Sequence, residues 1–132
     1  MRILYWTPLY WPEIGGTQTL AKITLRALAE RGHEILVLTT RTSHKMPEAA
    51  RHEGIATRRP PFWSAFNGRD MEPVLRLQAQ VAALKLAMQP DLIHSNFSGS
   101  AAFFIKPKGL GGRVKMAERS PARSRARDAG DE

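Results

Sequence analysis

The chain has no cysteine, and its 132 residues include no long apolar run. The missing thiols exclude a disulfide framework and thiol chemistry. The apolar segment at 101–105 is far shorter than the roughly 18 residues of a membrane-spanning helix. Only four apolar residues separate Arg2 from Thr7-Pro8, so no secretory leader is predicted. We therefore expect a cytoplasmic protein.

Several nucleotide-binding motifs are also missing. No G-K-[ST] occurs, which excludes a P-loop, and no G-x-S-x-G supports a serine hydrolase. The glycines are adjacent rather than arranged as G-x-G-x-x-G, and Thr39-Thr40-Arg41 stands where an acid would bind the ribose of NAD. NAD is therefore disfavoured, while Arg41 keeps NADP open as an alternative. The four histidines lack the spacing of metal ligands, so no metal site is predicted.

The residues that are present indicate one globular domain followed by a basic tail. Hydrophobic residues make up 42% of the chain, enough for one domain core. Half of the net charge of +8 lies in residues 106–132, which have no hydrophobic periodicity. We therefore predict a folded domain over 1–105 and a disordered basic tail over 106–132. The net positive charge favours anionic partners, but it does not distinguish among nucleic acid, lipid and phosphorylated ligands.

Residues 1–105 alternate between apolar runs and helical periodicity, which predicts a Rossmann-like, doubly wound parallel α/β sheet. With the strands numbered along the chain, the expected order is 3-2-1-4, and β1 and β2 form a right-handed βαβ unit. Asp70 is the predicted N-cap of the second helix, and residues 41–53 and 62–69 are predicted to be irregular. The predicted strands are 2–6, 34–40, 54–59 and 91–95, and the predicted helices are about 17–31 and 70–89.

The two helices each carry apolar residues at helical spacing, which predicts the faces that pack on the sheet. These positions are Leu20, Ile23, Ala27 and Leu28 in the first helix, and Val74, Leu77, Val81, Leu84 and Met88 in the second.

A double glycine between the first strand and the first helix is the main candidate binding element. Gly15 and Gly16 allow close approach of a ligand and aim the free N–H groups of the helix at it, typically at a phosphate or carboxylate. In a doubly wound sheet the crevice lies where the strand order reverses, so this loop should meet the loop after the fourth strand. Gln18 and Asn96 should then converge on the same crevice. Glu13 could contact a substrate hydroxyl or be a solvated loop carboxylate.

Four segments of residues 1–105 occur in a characteristic order: Pro12-Glu13-Ile14-Gly15-Gly16, Arg31-Gly32-His33-Glu34, Leu36-Val37-Leu38-Thr39 and Pro90-Asp91-Leu92-Ile93-His94. This ordered set resembles the N-terminal, acceptor-side domain of GT-B glycosyltransferases of family 4. The resemblance implies two Rossmann-like domains that transfer a sugar from a nucleotide-sugar to an acceptor, with retention of configuration and no obligatory metal or other cofactor. It also implies that Gly15-Gly16 approaches the donor phosphates, and that Gln18 and Asn96 contact the acceptor.

In this family the second domain supplies the groups that stabilise the departing diphosphate and grip the donor. We therefore expect an incomplete fragment that is inactive alone, with no catalytic base to assign. The composition change near Lys106 fits an out-of-frame reading, which would leave one edge of the strand at 91–95 unpaired. A separate chain supplying the second domain is one expected partner.

The other expected partners are a nucleotide-sugar and a carbohydrate or lipid-linked acceptor. Arg58-Arg59 beside Phe62-Trp63 suggests peripheral contact with the inner face of a membrane, although a partly buried loop with two solvated arginines fits as well. The tail has no aromatic residues for stacking, so no specific nucleic acid is expected. The alternative function is a stand-alone nucleotide- or polyanion-binding α/β module.

Overall fold

The structure of the chain, a computed structural model, describes residues 1–12, 15–41, 43, 45–96 and 115–118. The strands and helices within these residues are, in chain order, β1 (Arg2–Trp6), α1 (Gly16–Glu30), β2 (Glu34–Leu38), β3 (Ala49–His52), β4 (Ile55–Arg58), α2 (Phe62–Asn67), α3 (Glu72–Met88), β5 (Leu92–Ser95) and β6 (Lys115–Glu118). The strands form one sheet in the order β3-β4-β2-β1-β5-β6. All neighbours are parallel except β3 and β4.

The central four strands, β4-β2-β1-β5, confirm the predicted 3-2-1-4 order and the Rossmann-like α/β fold. In β1, Tyr5 is in register with Val37 of β2 on one side and His94 of β5 on the other. The strand order therefore reverses at β1, because the chain moves from β1 to β2 in one direction and later returns to β5 on the other side. This places the carboxyl ends of β1 and β5 side by side.

The hydrophobic core consists of two layers, one on each side of the sheet. Successive residues of β1 alternate between them, as the period of a strand requires: Leu4 and Trp6 pack with α3, and Ile3 and Tyr5 pack with α1. Ile93 of β5 is fully buried on the α3 side. Parallel strands covered on both faces read as continuous apolar runs, which is why the sequence indicated them clearly.

The apolar face predicted for the second helix is confirmed, and that of the first is wrong for Leu20 and Ile23. In α3, Leu77 and Val81 are buried, with Val74, Leu84 and Met88 packed beside them. In α1, by contrast, Leu20 and Ile23 are 52% and 62% exposed. The buried residues of α1 are Ala21 and Leu25, four positions apart, and Leu28 is partly buried. The small Ala21 side chain lets the helix approach the sheet on this neighbouring row, which turns the larger residues outward.

The segment 41–53, predicted to be irregular, contains β3, which forms an antiparallel hairpin with β4. Its turn is the pair Glu53-Gly54, with φ of 50° and 80°. Positive φ at both turn positions is the type I′ arrangement that matches the twist of a hairpin. The sequence did not show this strand because Ala-Ala-Arg-His has no apolar alternation.

Two further predictions at the helix ends are corrected. Residues 62–69 contain the short helix α2 rather than a loop, with Phe62 and Ala65 buried against the core. The residue that precedes α3 is Met71, which makes no capping hydrogen bond, so Asp70 is not the N-cap. Pro73 and the acidic Glu72 in the first turn favour a helix start at this position. The predicted end of α3 before Pro90 is confirmed, with Gln89 left-handed at φ of 48°.

The edge of β5 that was predicted to be unpaired is covered by β6, which pairs in parallel from Leu92↔Lys115 to Ser95↔Glu118. Ladder hydrogen bonds come from the backbone, so a polar segment can extend a sheet without an apolar pattern. Lys115–Glu118 is thus a strand within the tail predicted to be disordered. The rest of 106–132 lies outside the described residues, and there the prediction stays a prediction.

Candidate functional site

The loops that follow β1 and β5 begin side by side at the carboxyl edge of the sheet. The N–H of Asn96 donates to the carbonyl of Trp6 at 2.8 Å, and the N–H of Thr7 donates to the carbonyl of Leu38 at 3.1 Å. These bonds continue the sheet pattern one residue past the strands. The structure therefore brings Asn96 to the same edge as the glycine loop, which we define as residues 7–16.

The first part of the glycine loop is held down by hydroxyl and backbone hydrogen bonds. The hydroxyl of Thr7 donates to the carbonyl of Leu9 at 3.1 Å, and that of Thr39 donates to the carbonyl of Pro8 at 3.3 Å. Tyr10 is buried, and the Trp11-Pro12 peptide bond is cis. The loop is therefore tied to both β1 and β2 before it reaches the glycines.

Gly15 and Gly16 form the start of α1, as predicted. Gly15 is the N-cap, with extended backbone and no side chain to cap the helix, and its carbonyl accepts from the N–H of Thr19 at 2.9 Å. A Cβ on Gly16 would meet no heavy atom of the described residues within 4 Å. The first turn of α1 also contains no acidic side chain. As far as the described residues go, the positive end of the helix dipole is thus open to an anion.

Gln18 folds back over Gly15 instead of extending from the helix. A Cβ on Gly15 would contact the Gln18 carboxamide, whose Cδ would be 3.0 Å away. The absence of a side chain at Gly15 therefore makes room for Gln18. This gives the first glycine a local packing role, while the second leaves open space.

Asn96 and Thr17 line one cavity of about 180 Å³ between α1 and the sheet. Tyr5 and His94 form part of its wall, stacked with ring centroids 5.1 Å apart and planes 13° apart. The remaining lining residues are Ile3, Leu20, Ala21, Thr24, Leu25, Leu28 and Leu92. The cavity thus has polar groups at the carboxyl edge and an apolar body along α1. Gly15, Gly16 and Gln18 are not among its lining residues, and Glu13 lies outside the described residues.

A larger hollow of about 320 Å³ lies away from this edge. It is lined by residues at the amino ends of the strands and the end of α3, including Glu34, Ile55 and Met88. Ligands of open α/β sheets bind beyond the carboxyl ends of the strands. We therefore place the candidate site at the glycine loop and Asn96, not in the larger hollow.

Two buried cations near this edge were not predicted as site residues. Lys85 of α3 is 5% exposed, with Nζ 5.9 Å from the ring centroid of Trp6. Burial lowers the pKa of Lys85 to about 8. In the sequence, Lys85 lies four residues after Val81, on the row of α3 that is buried. This spacing could have predicted that Lys85 is buried. Arg59, directly after β4, is 1% exposed, and nothing in the sequence distinguished it from its neighbour Arg58.

The basic and aromatic segment that suggested membrane contact packs inward at two of its positions. Arg59 and Phe62 are both buried, and Phe62 lies 5.5 Å from Trp6 between ring centroids. Neither side chain is accessible to lipid. The alternative interpretation, in which both arginines are solvated, is wrong for Arg59. Contact of the chain with a membrane stays a prediction. None of the helices within the described residues has the length and apolar character needed to cross a bilayer.

Arg41, which kept NADP open, is engaged by its own loop. Its Nε donates to the carbonyl of Ser43 at 3.3 Å, and its Nη1 lies 4.0 Å from the Glu48 carboxylate. Within the described ranges, no group of three or more His, Cys, Asp or Glu residues could hold a metal ion.

Comparisons with known proteins point to one family. Residues 14–116 match the sequence profile described as Glycosyltransferase Family 4, and this match extends past the predicted boundary at 105. A comparison with curated protein sequences returns no significant match. Among solved structures, the chain is similar to sucrose-phosphate synthase from Thermosynechococcus elongatus, with a TM-score of 0.64 and 18% identity over 89% of the chain. A second chain of that synthase gives a TM-score of 0.60 and 16% identity over 93%.

The chain spans only part of these neighbours: 32% of the first synthase chain and 65% of the second. At such identities the likeness shows the shared fold alone.

Proposed function

The chain belongs to glycosyltransferase family 4, and from this premise we propose that it is the acceptor-side half of a retaining, nucleotide-sugar-dependent glycosyltransferase, inactive alone. The observation that carries the proposal is the uncapped start of α1. Gly15 provides no capping side chain, and no described residue fills the space where a Gly16 Cβ would lie. A helix end of this kind stabilises a phosphate through its free N–H groups and its dipole.

The proposed roles follow from position. The backbone N–H groups at Gly16 and Thr17 bind a phosphate of the donor or a polar group of the acceptor. Asn96, at the mouth of the cavity beside α1, hydrogen-bonds a sugar hydroxyl, and Gln18 does the same from above Gly15. These are binding roles, and no catalytic base is assigned.

The proposed inactivity follows from the chemistry of the leaving group. Departure of a nucleoside diphosphate builds negative charge, and positioned cations and N–H donors supply the largest share of its stabilisation. The family resemblance places the required basic pair in a second domain. The solved neighbours are longer than this chain. Their names identify sucrose-phosphate synthases, but at 18% identity or less neither donor nor acceptor is carried over to this chain.

The test is a nuclear magnetic resonance titration of the ¹⁵N-labelled chain with UDP-glucose, GDP-mannose and simple glycosides. We expect the amide signals of Gly16 and Thr17 to shift with the nucleotide-sugars, and the side-chain amide of Asn96 to shift with glycosides. The matched variant is Gly16→Val, which places side-chain atoms where a Cβ meets no described heavy atom within 4 Å. It should weaken nucleotide-sugar binding at least tenfold, about 1.4 kcal/mol, and leave the melting temperature unchanged.

The control is Gly68→Ala, because a Cβ there makes only ordinary contacts at 3.9 Å, far from α1. Absence of shifts at Gly16 and Thr17 with every probe would overturn the site. Release of UDP from UDP-glucose by the isolated chain would overturn the proposed inactivity.

A further inference from the structure

Arg59 connects the glycine loop to a second loop through its buried guanidinium group. Its Nη2 donates to the carbonyl of Trp11 at 3.0 Å, and its Nη1 donates to the carbonyl of Pro47 at 3.1 Å. Its backbone N–H donates to the carbonyl of Glu48 at 2.7 Å. One residue at the end of β4 thus holds segments that are 36 positions apart in the chain.

Among the residues that the structure describes, no acid balances the charge of Arg59. None of their carboxylates lies within 4.0 Å of its guanidinium, and the carboxylate of nearby Glu48 is instead close to Arg41. The Nε of Arg59 is buried without a hydrogen-bond partner in the described part of the chain. Burial lowers the pKa of Arg59. A buried cation is costly unless hydrogen bonds satisfy it, and here the carbonyls of Trp11 and Pro47 accept them.

Trp11 is fixed from a second side by its ring. The indole stacks on the imidazole of His52 in β3, with ring centroids 3.9 Å apart and planes 6° apart. The neighbouring Tyr10 is buried beneath the loop, and burial raises its pKa to about 12. Trp11 is therefore the anchored residue of the glycine loop, only four positions before Gly15.

We propose that Arg59 is a positioning residue for the glycine loop, which it holds through the carbonyl of Trp11. Its planar guanidinium group fixes the path of residues 7–12 against the loop that contains Pro47. This path sets the orientation of Gly15 and Gly16 at the start of α1. The consequence for phosphate or sugar binding rests on the proposed function, whereas the conformational effect does not.

The geometry requires arginine rather than any cation. A guanidinium reaches two carbonyls in different directions with fixed N–H groups, while a lysine ammonium is a single point on a flexible stem. Arg59→Lys should therefore keep the charge and lose part of the restraint. Arg59→Met should lose both bonds while filling similar space.

The experiment compares amide hydrogen exchange in Arg59→Lys, Arg59→Met and the unmodified chain. The control is Arg76→Met, the same change at an exposed residue of α3. In Arg59→Met, the hydrogen-bonded amides of Thr7 and Thr19, which flank the glycine loop, should exchange about tenfold faster, because Arg59 no longer restrains the loop between them. Peptides from β2 and α3 should exchange as before, and Arg59→Lys should give an intermediate rate.

Chemical rescue separates positioning from general stabilisation. Low concentrations of guanidinium ion should restore the protection of the Thr7 and Thr19 amides in Arg59→Ala, and ethylammonium should not. Equal acceleration throughout the chain would reduce Arg59 to a structural residue, and unchanged exchange at Thr7 and Thr19 would overturn the proposal. Should Arg59→Met and Arg59→Ala fail to fold, Arg59→Lys decides: faster exchange at Thr7 and Thr19 with β2 and α3 unchanged supports the proposal, and exchange equal to that of the unmodified chain overturns it.

The nucleotide-sugar titration is read separately on the same variants. Faster loop exchange in the Arg59 variants, without any ligand response in the unmodified chain, would overturn the proposed function and leave the positioning role standing. A normal ligand response in the unmodified chain, with unchanged loop exchange in the Arg59 variants, would overturn the positioning role and leave the proposed function standing.

Discussion

At the scale of single residues, Lys85 should make the stability of the protein depend on pH in the alkaline range. Its pKa is lowered from 10.5 to about 8 by burial. Between these values the folded chain has lost the proton that the unfolded chain still binds, so stability rises with pH from about 8 towards 10.5. The gain is of the order of 3 kcal/mol at most. Above pH 10 the raised pKa of Tyr10 acts in the opposite sense, because only the unfolded chain ionises there.

The variant Lys85→Met isolates this effect. Urea unfolding at pH 7 and pH 9.5 should show the variant more stable than the unmodified chain at pH 7, with the difference shrinking at pH 9.5. Lys45→Met, a change at an exposed lysine in a loop, should leave the pH dependence unaltered. A pH-independent difference between Lys85→Met and the unmodified chain would contradict this interpretation.

Single residues were also where prediction from the sequence was least complete. Gly15, Gly16 and Asn96 were placed at one edge because strand order alone determines which loops meet. The cavity partner Thr17 and the buried Arg59 were missed, since their roles come from residues distant in the chain. Leu20 and Ile23 were assigned to the wrong face of α1. Hydrophobic periodicity identifies rows of residues along a helix, but it does not show which of two adjacent rows packs on the sheet. In α1 the row that contains the small residue Ala21 packs there.

At the scale of elements, the hairpin of β3 and β4 depends on the backbone of its two-residue turn. Gly54 has a φ of 80°, a region that costs a residue with a Cβ about 1–2 kcal/mol. Gly54→Ala should therefore destabilise the protein by about that amount in thermal or urea unfolding. Gly68→Ala, at a φ of −83°, should be neutral or slightly stabilising. Equal effects of the two changes would contradict the turn assignment.

The elements with a strong pattern or a clear boundary were predicted, and three short ones were not. β1, β2 and α3 have continuous apolar runs or sustained helical spacing, so their positions could be predicted before any tertiary contact was known. β4 and β5 have only four residues each, but the prolines that follow β4 and precede β5 marked their positions. β3, α2 and β6 have four to six residues each. Their formation depends on a pairing strand or on packing of Phe62 and Ala65 against the core, which no local pattern encodes.

At the scale of the whole molecule, exposed apolar surface on α1 is the expected cause of self-association. The strand edge that the sequence predicted to be free at β5 is paired with β6, so among the described strands the sheet ends at β3 and β6 instead. Leu20 and Ile23 are more than half exposed, and Leu20 also lines the cavity whose body is apolar. Contiguous apolar patches of this kind mediate association in proteins that otherwise fold normally.

Sedimentation velocity over a range of concentrations tests this expectation. The double variant Leu20→Glu/Ile23→Lys should stay monomeric at about tenfold higher concentration than the unmodified chain, since each change removes an exposed apolar side chain from the patch. The matched control is Leu75→Glu/Leu86→Lys on α3, where the two leucines are 57% and 55% exposed. If both double variants reduce association equally, general surface charge rather than the α1 patch is responsible. If neither does, the association surface lies elsewhere.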